Sequence, residues 1–108
     1  MPTIKGYHAH IYFDKESVEQ ARVLCEAAAA QLPVVMGRMH EQCVGPHPMW
    51  SCQLGFAPGA LQTVIEWLML NRDGLVVFLH PDTGEHLLDH RDRAIWMGAY
   101  LALDLSNF

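Results

Sequence analysis

His8 and His10 stand two residues apart in the segment Gly6 to Phe13 (GYHAHIYF), where Tyr7, Ala9, Ile11 and Phe13 alternate with His8, His10 and Tyr12. Strict alternation is the signature of a half-buried β-strand, so both imidazoles project from one face, about 6.6 Å apart along it. A pair placed this way can chelate one metal ion without straining the backbone. Solvated histidines on a sheet face are the blander alternative. His80 closes a second apolar run, Leu75 to His80. A third imidazole beside the first two tips the reading toward a metal site or a catalytic histidine cluster. Imidazole ligands with open positions suit iron, zinc or copper, whereas calcium and magnesium prefer oxygen. Glu85 or Asp89 in the following segment offers a carboxylate to complete the set.

Other residues add acid/base and binding chemistry. His47 is held between two prolines in Gly45-Pro46-His47-Pro48, a loop whose rigidity favours an acid/base or substrate role over simple solvation. His90 follows Asp89, a pairing expected at a helix N-cap. Tyr12 shares the face of His8 and His10 and can stack on or hydrogen-bond a substrate. Arg38 shares strand parity with His40 and can pair with a substrate carboxylate, although a solvated edge residue is the simpler reading. His40 and His86 read as surface residues. Cys25 and Cys52 fall on apolar faces and Cys43 in a loop. This odd set without Cys-x-x-Cys spacing argues against a disulfide framework or a thiolate zinc site.

The elements that must position these groups follow along the chain. A helix opens at Ser17, with Gln20 completing a capping-box pattern, and closes at Pro33. A strand is expected over Val34 to Glu41, weakened by Gly37, and another over Met49 to Phe56. A second helix follows Pro58-Gly59 and ends at Asn71 to Gly74. The apolar strand Leu75 to His80 is stopped by Pro81. A short helical piece near Asp89 to Trp96, a break at Gly98 and a fifth strand at Tyr100 to Leu105 complete the chain. The order βαββαβ predicts an α+β, ferredoxin-like antiparallel sheet with two helices on one face and a C-terminal extension, one domain over residues 1–108. In that topology the first strand is central between the third and fourth, which brings His80 beside His8. The opposite face is bare unless the extension or a second subunit covers it, so a homodimer is expected.

Composition excludes several partners. The net charge is −5 and the seven basic residues are scattered, which argues against nucleic acid or an anionic membrane surface. No apolar stretch approaches the ~18 residues of a membrane span, and the N-terminal residues lack a signal-peptide core. Reduced thiols fit the cytoplasm.

His8-Ala9-His10-Ile11-Tyr12-Phe13-Asp14, Gly45-Pro46-His47-Pro48, Leu79-His80-Pro81-Asp82-Thr83-Gly84, Asp89-His90 and Ala94-Ile95-Trp96-Met97-Gly98 together resemble the DOPA 4,5-dioxygenase family, over nearly the whole chain. The resemblance implies extradiol cleavage of a catechol such as DOPA by O2 on non-haem iron, Fe(II). His8, His10 and His80 are then the expected metal ligands, His47 and His90 the acid/base or substrate-orienting residues, and Tyr12 and Arg38 the substrate contacts. A non-catalytic metal- or ligand-binding domain of the same fold is the alternative. A cofactor-free monooxygenase built from two such subunits is a third reading.

Overall fold

The computed structural model describes residues 2–108. Over them the chain forms β1 (Gly6–Phe13), α1 (Val18–Gln31), β2 (Val35–His40), β3 (Trp50–Phe56), a 3-10 turn (Pro58–Ala60), α2 (Leu61–Asn71), β4 (Val76–Asp82), α3 (His86–Arg91) and β5 (Ile95–Met97). The strands make one five-stranded sheet of order β2-β3-β1-β4-β5, with every pairing antiparallel. This is the expected α+β architecture, with β1 central between β3 and β4.

The alternation in β1 sorts its side chains as anticipated. Ala9, Ile11 and Phe13 join Ala21, Leu24, Cys25 and Ala28 of α1 and Val64 and Leu68 of α2 in a single apolar core. The removal of these groups from water, at roughly 25 cal/mol per Å² of apolar surface, is what holds the helices on this face. His8, His10 and Tyr12 are left on the other side.

That other side is not bare. Trp96 of β5 lies on Phe78, their ring centroids 4.6 Å apart, and near Tyr12 at 6.1 Å. The C-terminal stretch is pinned to the His47 loop by the Asp104 N–H, which donates to the Pro46 carbonyl at 2.9 Å. Phe78 and Tyr12 are fully buried in consequence. The expected extension does cover this face where Phe78 and Tyr12 lie.

Four local expectations are corrected. The fifth strand is Ile95–Met97, not Tyr100 to Leu105. Gly98, at φ +90°, turns the chain off the sheet edge, and a Cβ there would meet an Arg72 guanidinium nitrogen at 2.7 Å. β4 continues through Pro81 to Asp82. β5 pairs only with Val77 to Leu79, so a proline beyond that point interrupts no ladder. α3 is His86–Arg91, earlier than Asp89 to Trp96. Finally, Ser17 precedes α1 but makes no side-chain cap. Its hydroxyl and backbone N–H instead donate to the Asp14 carboxylate, and Gln20 reaches the Asp73 carbonyl at 2.7 Å.

Candidate functional site

The β1–β4 register sets His8 directly opposite His80 and His10 opposite Phe78, so the three histidines share one face of two neighbouring strands. One nitrogen from each of His8, His10 and His80 lies within 4.8 Å of the others. His10 Nε2 and His80 Nε2 are 3.1 Å apart, close to the roughly 3 Å that separates adjacent imidazole nitrogens bound to one ion at about 2.1 Å. Across the sheet, Gly55 of β3 pairs with His8, and a Cβ at Gly55 would meet the His8 ring at 3.7 Å.

The donor set fits a metal. His80 Nδ1 is 2.9 Å from the Pro81 carbonyl. A carbonyl only accepts, so Nδ1 carries the proton and Nε2 presents its lone pair toward His8 and His10. Burial, followed by the neighbouring imidazoles, pushes the His10 ring well below its usual titration range. Burial also lowers His80 to about 4, opposed in part by the Pro81 carbonyl, and lowers His8. All three rings are therefore neutral at pH 7, the form that ligates metal.

Neither carboxylate considered for the set is free. Asp89, 1% exposed, accepts from the Thr83 N–H and hydroxyl, both at 2.8 Å, and from the Arg93 guanidinium at 3.0 Å. Burial works to raise this carboxyl, but the bonds from Thr83 and Arg93 outweigh it and hold it below the ordinary range. Glu85 pairs with Arg93 at 3.0 Å. Among the described residues, the group that could hold a metal ion is His8, His10 and His80. Asp89 is not a helix N-cap either; from inside α3 it ties the helix back to the turn after β4. Asp89→Ala is expected to lower stability by about 2 kcal/mol, because the half-buried Thr83 N–H and the Arg93 guanidinium lose their acceptor. Urea denaturation checks this, and an unchanged midpoint would remove the clamp from the account.

The three histidines form one wall of a cavity of about 300 Å³ that His47, His90, Gln53 and Phe108 also line. That volume is at the lower end of small-molecule sites and suits a single-ring ligand. His90 reaches it from α3, its ring centroid 4.0 Å from that of His80, and its Nδ1 is 2.7 Å from the His86 carbonyl. His47 arrives from the proline-flanked loop, 4.2 Å from the His10 ring. Burial lowers His47 to about 4, with His90 and His40 adding to the shift. Phe108 lies against His90, ring centroids 4.6 Å apart and tilted by 38°.

The five histidines anticipated from the sequence thus meet in one place. Tyr12 does not line the cavity. It is 1% exposed behind His47, and burial raises its phenol above the usual range. Arg38 is exposed on the outer strand β2 and is not among the lining residues. Sequence reasoning missed the role of Phe108 and of His86, whose ring also lines the cavity and whose carbonyl orients His90. The i, i+4 spacing of His86 and His90 was the available signal, once a helix is drawn over both.

Known proteins resemble this chain in sequence and in fold. A profile of the Dopa 4,5-dioxygenase family matches residues 7–107. A DOPA 4,5-dioxygenase of Amanita muscaria is 31% identical over 96% of this chain and 50% of its own length. A 21.2 kDa protein of Botryotinia fuckeliana is 39% identical over 95% of this chain and 63% of its own. The chain therefore spans between half and two-thirds of the curated relatives it matches. The crystal structure of a presumed dioxygenase from Nostoc punctiforme superposes with a TM-score of 0.93 at 42% identity, covering 95% of this chain and 90% of that one.

Proposed function

The chain belongs to the Dopa 4,5-dioxygenase family, and from that membership and the histidine geometry we propose that it is an extradiol dioxygenase using Fe(II) and O2 to open a catechol ring. The observation that carries the reading is the convergence of His8, His10 and His80, all neutral, on one wall of a cavity sized for one ring. These three residues would hold the iron. The chemistry that bound ferrous iron supplies is Lewis acidity toward the catechol oxygens and the redox capacity that activates dioxygen.

The chain's own residues do the rest. The three imidazoles would hold the ion from their wall of the cavity, whose opening is the way in for a ligand. His47 and His90 flank that opening and serve the catechol hydroxyls as acid/base or orienting groups. The Asp104–Pro46 bond and the proline pair keep the His47 loop in place, so little has to be ordered when the ring enters. Overall, both atoms of O2 enter the product, and one ring carbon–carbon bond beside the diol breaks. DOPA is the first catechol to try, because the Amanita relative carries that name.

Loading the chelated protein anaerobically with ferrous iron, then adding a catechol panel and air, tests the proposal. A yellow ring-opened product with one O2 consumed per catechol is expected. Iron uptake without oxygen consumption across the panel would leave a metal-binding domain, and turnover surviving exhaustive chelation would point to cofactor-free chemistry. His47→Ala is expected to retain iron while lowering kcat by roughly 100-fold or more, the usual worth of a positioned acid or base. An unchanged kcat would make the proline-flanked loop structural only.

A further inference from the structure

The hydrogen bonds behind the two cavity histidines differ in kind. His90 Nδ1 lies 2.7 Å from the His86 carbonyl, which can only accept. Nδ1 therefore carries the proton, and the neutral ring presents a bare Nε2. His47 Nδ1 lies 2.7 Å from the Tyr12 hydroxyl. Tyr12 is 1% exposed, and among the described residues His47 Nδ1 is the only hydrogen-bond partner of its hydroxyl. A buried O–H with nowhere to donate costs about 1–3 kcal/mol, whereas an unused lone pair on the same oxygen is cheap. Tyr12 therefore donates and His47 Nδ1 accepts. The proton of neutral His47 then sits on Nε2, a nitrogen with no protein partner among the described residues, on a ring that lines the cavity.

We infer that Tyr12 is a positioning residue acting through His47: its hydroxyl holds His47 as a hydrogen-bond donor toward the cavity, opposite the acceptor nitrogen that His90 presents. This rests on the dioxygenase reading for its consequence but not for its geometry. In that reaction a catechol hydroxyl donates to the bare Nε2 of His90, while His47, whose one lone pair is already engaged by Tyr12, donates from Nε2 to an oxygen of the bound ligand. The two rings flank one cavity with opposite capacities, set by the Tyr12 hydroxyl and the His86 carbonyl.

Nitrogen-15 NMR of uniformly labelled, metal-free protein at pH 7.5 reads the tautomers directly, with no substrate or iron present. His47 is expected as the Nε2–H form and His90 as the Nδ1–H form. In Tyr12→Phe, which keeps the ring and removes the hydroxyl, His47 should shift to a mixture of both forms while His90 does not change. The iron-loaded variant should retain its iron and its KM while kcat falls roughly 10- to 100-fold, the scale of losing an outer partner of a site residue. Finding His47 as Nδ1–H in the unmodified protein, or unaltered in Tyr12→Phe, would overturn the inference. Spectra as expected in a protein that opens no catechol would uphold the tautomer lock and reject the dioxygenase reading separately.

Discussion

His10→Ala is expected to empty the metal site and abolish turnover together. His10 comes from the central strand, is 6% exposed, and places Nε2 3.1 Å from that of His80. Without it, the group of three close nitrogens is reduced to His8 and His80, opposed across a strand pair, and Glu85 and Asp89 are both committed to Arg93. Loss of an outer partner of a metal ligand already weakens binding by about 10- to 100-fold, so loss of the ligand itself should exceed 100-fold. The substitution also opens a cavity and should lower stability by roughly 2–5 kcal/mol. Iron is therefore measured per folded chain, and His10→Gln, which preserves more of the volume, is run beside it. Full iron occupancy in both variants would remove His10 from the metal site.

Mild acid should unfold the metal-free protein. His47 and His80 titrate near 4 when folded, because burial penalises their charged forms, against about 6.5 in the unfolded chain. Above pH 6.5 both states hold these rings neutral and their contribution is fully present. Between 6.5 and 4 the unfolded chain binds protons that the folded chain refuses, so stability falls as the pH falls. Each ring accounts for about 3 kcal/mol across that window, and His10 is lowered in the same direction. The combined loss is comparable to the ~5–15 kcal/mol that holds a typical domain together. Urea denaturation at pH 7.5, 5.5 and 4.5 measures it. A midpoint that stays constant from 7.5 to 4.5 would show that these rings are not buried as described. Bound iron should stabilise the protein at pH 7.5 and lose that effect in acid, since protons compete for the same nitrogens.

Much of this site was legible before any coordinates. Period-two alternation in GYHAHIYF is a local property, and burial of one face forces the histidines onto the other. The βαββαβ order with short connections then makes β1 central, which brings His80 across from His8. What stayed hidden depends on contacts between residues remote in the chain. Asp89 looked like a cap and a possible ligand because nothing near it in sequence reveals that Thr83 and Arg93 converge on its carboxylate. Tyr12 looked like a substrate contact because strand parity gives a direction but not the loop that lands on it. Tyr100 to Leu105 carries a strand's alternation, yet Gly98 has already turned it off the sheet edge.

The sequence by itself determined the sheet, its helix-covered face and the choice of imidazole as the chemistry of the other face, since each follows from periodicity and residue type. Only the tertiary structure decided which nitrogen of each ring is free. That choice is made by single acceptors or donors, the carbonyls of Pro81 and His86 and the hydroxyl of Tyr12. Their effect depends on a separation of about 3 Å, which no spacing along the chain specifies.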